Sequence, residues 1–342
     1  MPNPQSIASC RGSFLKRPFF ATAPFSTLKP VSLPTLSSRA KRGICCFFLL
    51  GFILIANSLS AQTLAERPRI TGIAQVTLYS ADLSTSRRFL EKLPTSRLSP
   101  CVGCSKIMNS GILLVNYAQS ITFAPIPSPA PTNLLASVAF ETDDVPELRR
   151  YLVSQGVECG QSTAKREADK VLSLRDPEGH VIKFVQVQRK SEFALHLEKE
   201  VQIIHAGFIV RDREKMEHFY KDILGFRPYW HGGMKDDETS WVSLQVPDGT
   251  DWLEFMLYDP TGKDKHFLGV MNHIALGVTD IHAAQEQLRK NGAPLTEEPK
   301  IGRDGKWQLN VYDPDETRIE FMEFTPVQKP CCSEFTAPHP KP

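Results

Sequence analysis

Four stretches of the chain repeat one order of patterns: an alternating strand, a helix, then further alternating strands, with a glycine stop after the helix in the last three. In the last of them residues 271–278 place Asn272, Ile274, Leu276 and Val278 on one face and Met271, His273, Ala275 and Gly277 on the other, as a half-buried strand requires. Asp280 caps a helix whose Ile281, Ala284 and Leu288 share a face, and Asn291-Gly292 ends it. Residues 307–312 alternate again, with Trp307, Leu309 and Val311 opposite Gln308, Asn310 and Tyr312. Asp313-Pro314-Asp315 makes a turn, and the closing strand points Ile319 and Phe321 away from Glu320, Met322 and Phe324. The unit reads β-α-β-β-β.

A second copy starts at Val201 and contains His205. Its helix is capped by Asp212, carries Met216, Phe219, Tyr220, Ile223 and Leu224 on one face and stops at Gly225. That copy ends in Trp252-Leu253-Glu254-Phe255-Met256. His205 to Glu254 spans 49 residues and His273 to Glu320 spans 47, so the two glutamates fall on corresponding strands. Two earlier copies are weaker. One has Ala74, Val76 and Leu78 alternating, a helix from Asp82, and strands near Ile112 and Ile121. The other runs from Leu134 through a helix with Val145, Leu148 and Leu152 to Gly156 and a final strand over 181–187. Aligned on the later copies, Gln75, Thr122, Ser137 and Lys183 stand where His205, Glu254, His273 and Glu320 do. An amide, two hydroxyls and an ammonium do not replace two imidazoles and two carboxylates around a cation, so the first pair is expected to hold no metal.

Composition changes the picture at the two ends. Residues 1–61 contain seven of the 40 Lys and Arg and none of the 38 Asp and Glu, so without them the net charge turns from +2 to −5. Within that stretch an apolar run over 44–56 precedes Asn57-Ser58-Leu59-Ser60-Ala61, the layout of an export signal with a cut near Ser60, Ala61 or Ala65. The run is short for a membrane span of about 20 residues. The expectation is export to the periplasm or beyond, with an N-terminal membrane anchor as the alternative and a true start that could lie downstream of Met1. A mildly acidic remainder without a basic stripe gives no reason for nucleic-acid binding. Cys101-x-x-Cys104 and Cys331-Cys332 are left open as disulfides, and the Pro-rich tail 326–342 reads as extended and mobile. Nothing in the sequence chooses between monomer and homodimer.

His205, Glu254, His273 and Glu320 each lie opposite the apolar face of their own strand, a donor set suited to one borderline divalent ion (Zn, Ni, Fe(II) or Mn). The same alternation names a pocket wall of Trp241, Ser243, Gln245, Trp252, Met256, Gln308, Asn310 and Tyr312, apolar and aromatic with a few polar groups, as a small-molecule site needs.

Paired units with a His on each first strand and a Glu on each last strand resemble the vicinal oxygen chelate superfamily, which includes glyoxalase I, extradiol dioxygenases and bleomycin-resistance proteins. The resemblance covers about residues 70–325. It implies an α+β fold: four βαβββ modules paired into two domains, each a curved mixed sheet forming a cup with helices outside. The expected domains are 68–188, metal-free, and 200–325, metal-binding, joined by a charged linker over 189–199. It also implies that His205, Glu254, His273 and Glu320 match the four metal ligands of glyoxalase I. Function then follows as an expectation: a metal-dependent lyase or isomerase that moves a proton on a small substrate with vicinal oxygens, Glu320 or Glu254 being the base. The alternatives are an extradiol-type Fe(II) dioxygenase, which also pairs a metal-free with a metal-bearing domain, and a non-catalytic ligand-sequestering protein. In the dioxygenase reading Asp304 stands where a helpful His is expected, and His231 and His266 are the substitutes.

Overall fold

The copies fold as their patterns dictate, within a computed structural model that describes residues 66–94, 112–114, 118–159, 171–186 and 201–342. The N-terminal basic and apolar stretch, Cys101, Cys104 and the linker 189–199 lie outside those residues. The first copy comprises β1 (Ile70–Ser80), α1 (Leu83–Leu90), β2 (Ile112–Leu114) and β3 (Ser120–Pro125); the second β4 (Leu135–Thr142), α2 (Val145–Ser154), β5 (Val171–Arg175) and β6 (Val181–Gln186). The third contains β7 (Val201–Ile209), α3 (Arg213–Glu217) continued by a π-helical turn His218–Ile223, then β8 (Arg227–Gly232), β9 (Trp241–Gln245) and β10 (Trp252–Met256). After α4 (Lys265–Met271), the fourth contains β11 (His273–Val278), α5 (Ile281–Lys290), β12 (Lys300–Ile301), β13 (Trp307–Tyr312) and β14 (Arg318–Glu323).

The shared punctuation explains the repeat. Asp82, Asp144, Asp212 and Asp280 each cap a helix by accepting a backbone N–H of its first turn. Gly156, Gly225 and Gly292 follow α2, α3 with its π-helical turn and α5, with φ of 78°, 78° and 70°. Asp176 and Asp313 hold their Asp-Pro turns by accepting backbone N–H groups two and four residues on. The last copy departs from its pattern at the start: 271 ends α4 rather than opening the strand. Asn272 terminates α4, its amide donating to the Leu268 carbonyl while its oxygen accepts from Ile209 N–H.

Two curved mixed sheets result, with strand orders β2-β3-β1-β4-β6-β5 and β12-β13-β14-β11-β7-β10-β9-β8. In each, a parallel pair from one copy meets a parallel pair from the next across one antiparallel junction, β1/β4 or β7/β11. The apolar face of both sheets, from Ile70 and Phe140 to Phe255 and Phe321, joins the helices in one buried cluster. A separate cluster, including Ile204, Tyr229, Trp252, Ala275 and Met322, lies on the opposite face of the second sheet, inside the cup.

The tail is a correction. It lacks regular secondary structure but is not loose. Val327 N–H donates to the Gly305 carbonyl (2.8 Å), Cys331 N–H to Arg303 (2.9 Å), Thr336 N–H to Tyr229 (3.0 Å) and the Gln245 amide to Pro338 (2.7 Å). Cys331 and Cys332 form a disulfide.

One buried side chain links the sheets. Gln119 donates to the carbonyls of Ile73 (2.9 Å) and Ile203 (2.8 Å) and accepts from Ile203 N–H (2.8 Å). Gln119→Leu keeps the volume but strands these backbone groups, so urea unfolding should show a loss of about 1–3 kcal/mol; a loss below about 0.5 kcal/mol would remove Gln119 as a stitch.

Candidate metal centre

Register places the four donors. Across the antiparallel junction His205 pairs with Ala275 and Gly207 with His273. The parallel pairs set Trp252 beside His205, Glu254 beside Gly207 and Glu320 beside Ala275. The donors thus sit on four adjacent strands, β14-β11-β7-β10, and project from the concave face. The first sheet repeats this register with Gln75 beside Ser120 and Ala139, Thr77 beside Ser137, and Lys183 beside Ala139. There Gln75 donates to Ser120 and Thr122 hydroxyls at 3.1 and 3.0 Å.

The His205 and His273 Nε2 atoms are 3.1 Å apart. Glu254 Oε2 lies 3.3 Å from His273 and 4.0 Å from His205, and Glu320 Oε2 lies 3.6 Å from His205 and 3.7 Å from His273. Donors bonded to one ion at about 2.0–2.2 Å stand about 3 Å apart, so this spacing and donor chemistry fit a divalent cation. Glu320 and both imidazoles are buried, while the Glu254 side chain keeps 15% exposure. Burial and the nearby Arg318 charge pull the His273 pKa down to about 4, against the pull of Glu254, so the ring is neutral, the form a metal takes. Its Nδ1–H donates to the Met271 carbonyl at 3.3 Å, leaving the Nε2 lone pair toward the cluster. Burial works against ionised Glu320, but Arg318, at 3.8 Å, and the imidazoles outweigh it and hold the pKa at about 2. Glu254 is likewise held below its ordinary range: burial opposes it, and the adjoining His273 and His205 rings outweigh burial.

Gly207 is a requirement that strand alternation does not reveal. A Cβ there would stand 2.1 Å from His273 Cε1, so the ring occupies the space of the missing side chain. The first sheet has Thr77 at this position.

A cavity of about 420 Å³ opens over the donors. Its lining includes Trp241, Ser243, Trp252, Met256 and Gln308, as the alternation indicated, with Glu254 and Glu320 at its floor. Gln245, Asn310 and Tyr312 do not line it. The Gln245 amide is consumed by the Thr250 and Pro338 carbonyls, and Asn310 and Tyr312 both donate to Glu297 (3.0 and 2.8 Å). His231 and His266 are also absent from the lining, His266 packing on Tyr312 instead. Asp304 does line it. Burial raises the Asp304 pKa to about 6 despite the Lys306 charge, and burial lowers the Lys306 pKa to about 8 despite Asp304.

Tyr229, Trp230, Arg318 and Phe335 are also among the lining residues and were missed. Arg318 was findable, since it lies two residues before Glu320 on one strand; Phe335 belongs to the tail and carries no periodic signal. A slightly larger cleft of about 480 Å³ includes His180 and Arg211, but these are already bonded to Asp176 and Glu178.

Residues 202–321 match the model of the Glyoxalase/Bleomycin resistance protein/Dioxygenase superfamily. A lactoylglutathione lyase of Haemophilus influenzae is 34% identical over 125 residues, 36% of this chain and 93% of that one. The human mitochondrial methylmalonyl-CoA epimerase is 32% identical over 120 residues, 32% of this chain and 66% of that one. Among solved structures, a catechol 2,3-dioxygenase superposes with a TM-score of 0.52 at 15% identity, covering 80% of this chain and 96% of that one. A variant homoprotocatechuate 2,3-dioxygenase from B. fuscum gives 0.51 at 18%, covering 80% and 76%. The chain belongs to the vicinal oxygen chelate superfamily, and its curved mixed sheets are the fold of that family.

The His273 shift has a testable sign. Its folded pKa of about 4 lies below the ordinary 6.5, so the unfolded chain takes the proton first. Its contribution to metal-free stability is complete above pH 6.5 and is lost as pH falls toward 4. Asp304 and Asp313, pushed up to about 6 and about 7 chiefly by burial, act oppositely over an overlapping window. The difference between the parent and His273→Gln, unfolded in chelator at pH 7, 6 and 5, isolates the histidine. That difference should shrink by up to about 1.4 kcal/mol per pH unit; a constant difference would show that His273 titrates normally.

Proposed function

We infer that the cup is the active site of a divalent-metal-dependent lyase or isomerase of the glyoxalase I type, moving a proton on a small substrate with adjacent oxygens. One observation carries the reading: two carboxylates, not one, converge on the paired imidazoles. The likeness to a lactoylglutathione lyase over nearly its whole length supports it. His205, Glu254, His273 and Glu320 would hold the ion. When bound, the ion supplies positive charge that polarises adjacent substrate oxygens and acidifies the neighbouring C–H.

The chain's own groups divide the remaining work. Glu254 is the better placed base, because its carboxylate opens onto the cavity, whereas Glu320 is buried beside Arg318. Trp241, Trp252, Met256 and Gln308 shape the space above them and exclude water. The substrate reading of Gln245, Asn310 and Tyr312 is withdrawn with their place in the wall.

The extradiol dioxygenase reading keeps one support, the superposition of solved dioxygenases over 80% of the chain. Against it stand the fourth donor, Glu254, and Asp304 in the place of a histidine. A ligand-sequestering protein without chemistry predicts no metal. Export remains the reading of the N-terminal stretch, supported by its charge and apolar run; among the described residues no helix is long and apolar enough to cross a membrane.

Elemental analysis of protein purified without added metal should find one divalent ion per chain. A panel of catechols, 2-oxoaldehyde adducts and epimerisable acyl compounds then separates the chemistries. Glu254→Ala should lose metal affinity by more than the ~10–100-fold cost of an outer-shell partner and activity by about 10²–10⁴-fold. Oxygen uptake with a catechol by this variant at the parent's rate would overturn proton transfer in favour of ring cleavage. Gly207→Ala should weaken metal binding comparably with unchanged circular dichroism, because it displaces only the His273 ring; full metal retention would refute that role for the glycine.

A further inference from the structure

We propose that the C-terminal tail is a working part of the substrate site, with Phe335 as a specificity-determining wall. The tail lies beyond the family match, which ends at residue 321. It starts against the second half of the cup, at Gly305 and Arg303, and crosses to the first half at β8 and β9. Ser333 Oγ bonds both the N–H and the carbonyl of His231, Thr336 Oγ1 donates to the Pro228 carbonyl (2.7 Å), and the Tyr229 hydroxyl donates to His339 Nδ1 (2.6 Å). Gln202 donates to the Lys341 carbonyl (2.6 Å), so the strap is held along its length to the last residues.

Phe335 is what this strap delivers. Its ring packs 4.9 Å from Tyr229 and 6.4 Å from Trp230, centroid to centroid, and lines the cavity. The buried Lys306 ammonium lies over the rings of Trp252 (4.7 Å), Phe335 (5.2 Å) and Tyr229 (5.3 Å), and donates to the Tyr229 hydroxyl. One ring of that cage comes from the tail, and Trp252 in turn lies 4.7 Å from the His205 ring. The wall is therefore coupled to the metal-donor face through packed side chains. At the turn toward β8, Cys332 adopts φ 69°, a left-handed conformation costly for an L-residue, and its disulfide to Cys331 closes a ring over that kink. The position of Phe335 is set by the hydrogen bonds of Ser333 and Thr336 on either side of it.

The substrate class follows. With Tyr229, Trp230, Trp241, Trp252 and Phe335 around it, the space over the donors suits a compact, flat body that presents adjacent oxygens, with Phe335 bounding it on the tail side. This deepens, and rests on, the reading of the cup as a site for chelating oxygens.

Full-length parent, Phe335→Ala and Phe335→Leu, each loaded with one divalent ion, are titrated with catechol, 4-tert-butylcatechol and 2,3-dihydroxynaphthalene by calorimetry. The parent should bind catechol and discriminate against the larger probes. Phe335→Ala should raise affinity for the larger probes relative to catechol by about tenfold or more, with Phe335→Leu returning toward the parent. The same ladder of affinities in parent and Phe335→Ala, or a uniform loss across all probes, would overturn the specificity role and leave the metal cup standing. Failure of the metal-loaded parent to bind any of the three chelating probes would instead sink the reading of the cup as a site for adjacent oxygens, and this inference with it.

Discussion

His273 stands opposite Gly207 across the β7/β11 junction, and its ring lies where a side chain of Gly207 would be. That one register decides the rest of the cup. It brings two Nε2 atoms to 3.1 Å, and the parallel strands on either side then have a single way to deliver Glu254 and Glu320. Because side chains alternate with period two, a slip of one residue in β7 beyond Ile204 would send His205 into the apolar core and Ala206 into the cup. The unbroken apolar face of the same strands guards against that slip: Ile203, Ala206, Phe208, Ile274 and Leu276 are all buried in the main cluster. Core packing thus supplies the precision that the donor geometry requires.

Electrostatics sets the second constraint. Two carboxylates gathered with two imidazoles in one buried group are costly unless cations stand near. Arg318 lies 3.8 Å from Glu320 on the same strand face, and Lys306 and Asp304 are buried behind and beside the cavity wall. Lys306 keeps its place by resting on aromatic faces and pairing with Tyr229 rather than by a direct carboxylate contact. The cup is therefore polar at its floor and aromatic around it, which favours a ligand with a polar end and a flat body.

The repeat was legible because the copies draw on the same local chemistry: an Asp cap in all four, a glycine with positive φ after the helix in the last three and an Asp-Pro turn in the second and fourth, all short-range signals. The four donors were legible because strand alternation assigns faces without knowledge of the partner strand. What alternation cannot assign is who consumes a side chain once it faces inward. Gln245, Asn310 and Tyr312 point from strands of the right kind, but Glu297, Thr250 and the tail reach them first. Gly207 was hidden because its meaning depends on a residue 66 positions away. The tail was misread because Pro-rich composition reports the lack of regular structure, not the lack of contacts.

The first sheet shows what the same register does without the donors. Thr77 fills the place of Gly207, Ser137 replaces the ring that would need that space, and Gln75 satisfies itself on neighbouring hydroxyls. These substitutions are mutually consistent: once the ring is absent, a β-branched residue at Thr77 is favourable in a strand, and once that residue is present a ring cannot return. The two sheets share one apolar cluster, and Gln119 ties β7 near His205 to β1. The sheet that lacks the donors therefore contributes by holding still the strand that carries the first of them.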